Sequence, residues 1–333
     1  MDPVTHLTAG ALFAQAVRRK LPTARGLWPF CLILAVLPDA DILFFRSDPT
    51  FYLLHHRGFT HSLAFVAVAA PLLAWLYRRP AGRPALGMLT VLAAGLLLTH
   101  IYQDLATSYG TQVLAPFTNR RFGFDALFII DPVYTGAMLL AVFLGAFWKR
   151  RRTGIAFLAL AWLFLYPLAS LGVRIQTERG FERQLTRLNV EYDSFIVTTD
   201  ALSPLFWKTI LIRDNAYALE NIDLRAPVAT QPKFTYLRPS AELLATLRAA
   251  DPFLDTYFWF TAYPYYMEEK SQPDERTLVF GDLRFSSAGP VMRSLFENGR
   301  TPFALSLTLK SDGSVKSFIF HRGGRTFART LIE

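Results

Sequence analysis

Six apolar segments, near residues 7–17, 27–45, 59–77, 85–103, 127–148 and 154–173, fill the first half of this chain, and four of them have the roughly 20 residues that a bilayer core asks of a helix. The first is short and the second is interrupted by Pro38, Asp39 and Asp41, so these two read as half-spans or as helices buried against their neighbours. With 52% hydrophobic and only 18% charged residues over 333 positions, the chain is too oily for an ordinary soluble enzyme, and a membrane protein is the leading class.

The net charge of +9 suggests nucleic acid until it is divided: residues 1–175 carry 16 Lys+Arg against 7 Asp+Glu, and the remainder 19 against 19. The excess lies wholly in the apolar half, in short clusters (Arg18, Arg19, Lys20; Arg78, Arg79, Arg83; Lys149–Arg152) of the kind that hold spans in orientation from the cytoplasmic side. Nucleic acid is therefore not expected as a partner; membrane lipids and a small-molecule or lipid-linked substrate are. The single cysteine, Cys31, lies in an apolar run and reads as a small buried hydrophobe. The N-terminus opens on Asp2 rather than on positive charge, so no cleaved signal peptide is expected.

From about residue 176 the character turns polar. Stretches such as EYDSFIVTTD and PFALSLTLKSDGSVKSFIF alternate as strands do, with a turn at Asp312-Gly313, and SAELLATLRAADPFLDTYFWF is helix-like. The expected fold is thus a mainly α-helical polytopic membrane domain, residues 1–175, followed by a smaller α+β soluble domain, residues 176–333. SPLFWKTILIRDNAYAL reads as a core strand in preference to a membrane-docking segment carrying Trp207.

If the basic clusters face the cytoplasm, the opposite helix ends carry His6, Asp39 and Asp41, His55–His61, His100 with Asp104, and Asp131. The assignment used only Lys and Arg, yet it gathers every unusual polar residue on one side, together with the soluble domain. In HIYQD, His100 and Asp104 stand at i and i+4 and share a helix face, a spacing able to grip one cation. Taken alone the pair reads better as a capping histidine beside an exposed acid. It does not stand alone: five of the six histidines fall within the first 100 residues, and no carboxylate lies between Asp48 and Asp104. Ionisable groups at span margins are costly and point to function.

In LPDADILFF one carboxylate can bind or bridge cations while the other orients a histidine. In HHRGFTHS, His61 can ligate, His56 can act as acid or base, and Arg57 can neutralise an anion, phosphate above all. Gly58 permits a sharp approach, and Thr60 or Ser62 can cap the following helix. Capping outweighs a nucleophilic role for Ser62. His321 reads as a surface histidine. YGTQVLAPFTNRRFGFD reads equally as a substrate rim and as an interfacial loop.

MDPVTH, PDAD, HRGFTHS, HIYQD followed by YGTQVLAPFT, and IDP, in this order over about the first 135 residues, resemble the membrane-bound metal-dependent hydrolase family. The resemblance implies an integral inner-membrane protein and points to His6, Asp39, Asp41, His56, Arg57, His61, His100 and Asp104, flanked by Tyr109, Gly110, Thr111 and Gln112. A looser similarity in ligand order reaches zinc-dependent phospholipase C and the P1-type nucleases. The absence of any histidine between His100 and His321 departs from their pattern and leaves one or two ions, with Asp131 a late contributor.

The expectation that follows is a hydrolase of phosphoester or lipid-linked substrates working through metal-activated water. His6, Asp39, His61, His100 and Asp104 are the metal ligands, zinc first with manganese or iron as the other fits; Arg57, His56 and Asp41 are the catalytic groups. Two other classes fit the same residues: a membrane scaffold stapled by a structural metal, and a transporter using the membrane-edge acids.

Overall fold

The computed structural model describes residues 1–45, 48–200, 205–224, 232–286, 302–322 and 325–331. Its contacts divide into two units, the first comprising Met1–Arg46, His55–Val173 and Leu202–Pro204, the second Ser47–Leu54, Arg174–Ala201 and Leu205–Glu333.

The first unit is helical. Asp2 caps α1 (Pro3–Val17) by accepting from the Val4 and Thr5 amides, with Pro3 in the first turn where its missing N–H costs nothing. After α2 (Leu27–Val36), Pro38 cuts the second apolar run into a 3-10 turn, Pro38–Ala40, and α3 (Asp41–Phe45). α4 (Pro49–His55), all but its last residue assigned to the second unit, and a 3-10 turn, Phe59–His61, precede α5 (Leu63–Arg78), which Ser62 caps through the Phe65 amide. α6 (Leu86–Leu105), α7 (Pro132–Phe147) and α8 (Arg152–Arg187) complete the helices of this region.

Where four segments of bilayer length are expected, two helices among the described residues are long and apolar enough to cross a membrane: α6 and α8, with a third span if the bent pair Pro49–His61 and Leu63–Arg78 counts as one. The expected segment 127–148 shortens because Asp131 caps α7 and the helix begins only at Pro132. α8 runs past the expected domain boundary to Arg187.

Close helix contact aligns the ends of α1, α2 and α6. A Cβ on Gly10 would stand 2.8 Å from the Ala35 Cβ and from the Cys31 carbonyl, so only glycine lets α1 lie this near α2. Cys31, Leu34, Leu92, Leu96 and Ile101 pack in the cluster behind that contact. At the other helix ends the basic loops meet: Arg19 donates to the Arg150 carbonyl, the Arg25 amide to Ala81, and the Tyr77 hydroxyl to the Arg25 carbonyl. Apolar side chains of α5, α7 and α8 point outward, Val68 67% exposed, Phe143 58% and Leu158 76%.

The second unit is mixed α/β. Strands β1 (Ser194–Thr199), β2 (Phe206–Arg213), β3 (Ala216–Asp223) and β4 (Phe234–Leu237) form one antiparallel sheet in that order. The helix-like stretch divides at Pro252 into α9 (Ala241–Ala250), capped by Ser240, and α10 (Pro252–Phe260), capped by Asp251. A second antiparallel sheet runs β5 (Pro264–Ser271), β6 (Glu275–Asp282), β7 (Leu305–Lys310), β8 (Val315–Arg322) and β9 (Arg325–Thr330). Gly313, at a φ of +85°, makes the expected turn between β7 and β8. Trp207 is fully buried in β2 as a core-strand residue; Ser203 and Pro204 of that stretch lie outside the described residues.

Candidate metal centre

Four elements deliver the donors: His6 from the start of α1, Asp39 from the 3-10 turn after α2, His61 from the turn before α5, and His100 with Asp104 from the end of α6. His6, His61, His100 and Asp104 are fully or almost fully buried; Asp39 alone keeps solvent contact, its side chain 17% exposed. Among the described residues, Asp39, His61, His100 and Asp104 each offer one ligand atom within 4.8 Å of all the others.

The tautomer of each ring follows from what its Nδ1 meets. His100 Nδ1 lies 2.7 Å from the Ala35 carbonyl, one of the acceptors that the end of α2 leaves without an intrahelical partner, so this nitrogen must donate. Tyr134 Oη donates to the Leu163 carbonyl and accepts from Gln103 Nε2, which turns Gln103 Oε1 toward His6 Nδ1 at 2.9 Å and makes that nitrogen a donor too. Thr60 Oγ1 gives its proton to Asp41 Oδ2 and receives one from His61 Nδ1, 3.0 Å away. Three Nε2 lone pairs are thereby left facing two carboxylates.

Their spacing suits a cation. His61 Nε2 stands 3.1 Å from His100 Nε2, 3.1 Å from Asp104 Oδ2 and 3.4 Å from Asp39 Oδ1. His100 Nε2 stands 3.4 Å from Asp104 Oδ2 and 3.6 Å from Asp39 Oδ1. Tetrahedral ligands at zinc–nitrogen and zinc–oxygen distances lie about 3.3 Å apart, close to all five edges. Asp104 Oδ2 and His6 Nε2 are buried atoms with no hydrogen-bond partner, which an interior tolerates poorly unless something else satisfies them. When a proton sits on these rings in place of a cation, burial pushes the Asp39 carboxyl up, but His100 and His61 together hold it well below the usual carboxylate range.

The three candidate catalytic groups stand one layer out. Asp41 accepts from His56 Nδ1, the Arg57 amide and Thr60, and so ties the loop that carries His61 instead of joining the donor cluster. Arg57, at a φ of +60°, turns back to lay Nη2 3.0 Å from Asp104 Oδ1 and Nη1 2.8 Å from Thr107 Oγ1. Buried to 3% exposure, it compensates a ligand carboxylate from behind. The Met1 nitrogen contacts the same Asp104 oxygen. Gly58 is required where it stands, since a Cβ there would lie 2.7 Å from the His55 carbonyl.

Some expectations need correction. Asp131 does not join the donors: it caps α7 through the Val133 and Tyr134 amides and accepts from Tyr166. Thr60 does not cap α5 but relays His61 to Asp41. In the 109–125 loop, Thr111 bridges to Phe122 and the Gln112 amide donates to the Arg57 carbonyl, so this motif braces the HRG loop. Gln103 and Thr60, which set two of the three tautomers, were not foreseen as site residues; the one sequence signal was a glutamine inside an apolar helix between His100 and Asp104.

A helical, outwardly apolar unit with a buried His/Asp cluster at one end defines a membrane protein whose clustered donors could hold a metal ion. The chain belongs to the YdjM inner membrane protein family, which matches residues 1–177. It is 27% identical over 209 residues to the "Uncharacterized protein YfhP" of Bacillus subtilis (strain 168), covering 60% of this chain and 61% of that one. It is 39% identical over 94 residues to the "Inner membrane protein YbcI" of Escherichia coli (strain K12), covering 27% of this chain and 54% of that one. The matches thus span less than two thirds of either relative's length. No solved structure matches the chain.

Proposed function

We propose that this protein is a multi-pass inner-membrane hydrolase that uses a divalent cation, zinc foremost, against a phosphoester or lipid-linked substrate. The observation that carries the reading is the set of three buried histidines whose Nδ1 hydrogens are committed outward, two of which, His61 and His100, bring their Nε2 atoms together with Asp39 and Asp104 at one buried point while His6 lies beside it. When bound, the cation supplies Lewis acidity and makes water nucleophilic near neutral pH. The chain's own residues do the rest. His61, His100, Asp39 and Asp104 hold the ion, Asp41 and Thr60 fix the His61 ring, and Arg57 balances Asp104. Asp39, the one donor with solvent contact, marks the side from which substrate arrives.

The basic loops that meet at the far helix ends support a cytoplasmic placement for themselves, and hence an extracytoplasmic one for the cation site and for residues 176–333. One observation favours a second reading. Four protein donors at these spacings can close a tetrahedron, as structural zinc sites do, and the ion would then staple helices without chemistry. A transporter has no comparable support, because the donors gather at one helix end.

The test is metal analysis by mass spectrometry on full-length protein in mild detergent, native against His100→Ala and Asp104→Ala, followed by phosphoester turnover. Stoichiometric zinc lost from both variants, with turnover lost alongside, is expected. A folded native protein that binds no divalent metal would overturn the proposal; tight metal with no turnover on any phosphoester would leave the staple.

A further inference from the structure

The two carboxylates are split between two positions. Asp39 turns Oδ1 toward His61 and His100, and Asp104 turns Oδ2 toward the same rings. Their other oxygens face elsewhere: His6 Nε2 lies 3.5 Å from Asp104 Oδ1 and 4.0 Å from Asp39 Oδ2. The His6 ring stacks on His100 with centroids 3.7 Å apart, so its free nitrogen lies beside the four-donor position but outside that set. It is fully buried, has no hydrogen-bond partner, and has its tautomer set by Gln103. A buried imidazole nitrogen without a hydrogen-bond partner, 3.5 and 4.0 Å from two carboxylate oxygens, calls for a group that satisfies it.

We infer that the centre holds two divalent cations bridged by Asp39 and Asp104, the second on His6 Nε2, Asp39 Oδ2 and Asp104 Oδ1. The inference rests on the metal reading above and deepens it. With its four donors the first position can be closed by protein alone, whereas three donors leave the second with room for water or substrate. The surplus that a structural staple does not explain, five donor residues where four suffice, thereby has a use. Asp104 Oδ1 also carries Arg57 and the Met1 nitrogen, so the second ion binds more weakly and loads at higher free metal. Two dications and Arg57 against two carboxylates leave the pair positively charged, which suits an anionic substrate such as a phosphoester.

The experiment is a Mn²⁺ titration of chelator-treated, detergent-solubilised full chain, read by equilibrium dialysis and by electron paramagnetic resonance. Native protein is expected to take up two ions in two phases, the second giving the spectrum of an exchange-coupled pair. His6→Ala is expected to take up one, uncoupled, while His61→Ala loses the tighter one. Coupling in the native chain needs no variant and stands even if His6→Ala misfolds. One ion per chain at saturation, or two without coupling, overturns the second position and leaves the single-ion reading intact; no Mn²⁺ bound by folded protein overturns both.

Discussion

At the scale of single residues, the centre depends on partners that never touch the cation. Gln103 fixes which nitrogen of His6 is free, held in turn by Tyr134. Removing such a partner typically lowers metal affinity about 10- to 100-fold, so Gln103→Leu should lose that much for the ion nearest His6, measured by chelator competition, while the chain stays folded. Gly58→Ala should be harsher. Its Cβ would meet backbone, not a yielding side chain, and the loop holding both Arg57 and His61 would have to move. The clustered donors were conspicuous in the sequence because histidines and acids stand out against an apolar background and His100 and Asp104 share a helix face. Gln103, Thr60 and the Ala35 carbonyl were not legible. Gln103 and the Ala35 carbonyl take their roles only once α1, α2 and α6 approach, and Thr60 only once the 59–61 turn meets Asp41; nothing in local spacing reports a hydrogen bond between His6 and Gln103, 97 positions apart.

At the scale of elements, caps decide where apolar runs become helices. Hydropathy located the runs, and the break at Pro38 that turns one run into two helices and a turn was legible too; the cap at Asp131 that delays α7 to Pro132 was not. Strands and helices of the second unit were easier to read, since Ser240, Asp251 with Pro252, and the Asp312-Gly313 turn carry their own signals. Asp131 offers a clean test of cap against ligand. Asp131→Ala should cost about 1 kcal/mol of stability, seen as a lower melting temperature in detergent, with metal content unchanged. Asp131→Asn, which can still accept from the Val133 and Tyr134 amides, should recover most of that loss. Metal loss in the folded Ala variant would return Asp131 to the site.

At the scale of the whole molecule, a cation at the proposed centre would link folding to metal and to pH. A ligand that binds only the folded chain adds about 2.7 kcal/mol at 100 times its dissociation constant, so chelation should lower the melting temperature and added Zn²⁺ restore it. Protons compete with the cation for the same Nε2 atoms. Metal content should therefore fall as pH is lowered and these nitrogens take up protons, read by metal analysis across a pH series. The Asp39 carboxyl, held well below the usual range by His100 and His61, stays ionised as they take up protons.

The proposed orientation can be tested at the loops. Lys and Arg in the short connections at 18–20, 78–83 and 149–152 gather at the helix ends away from the donors, a pattern from which the positive-inside bias predicts cytoplasmic ends. A Cys31→Ala background removes the one native thiol, and single cysteines can then be placed at exposed positions: Arg79→Cys among the basic loops, Phe117→Cys in the loop bracing the HRG motif, and Lys270→Cys in the second unit. A membrane-impermeant maleimide applied to intact cells should label the cysteines at 117 and 270 and spare the one at 79, which reacts only after the membrane is opened. Label at 79 alone would invert the protein, put the centre on the cytoplasmic face, and confine its substrates to those the cytoplasm supplies. Labelling of 117 without 270 would place the two labelled positions on opposite faces of the bilayer and overturn the extracytoplasmic placement of residues 176–333.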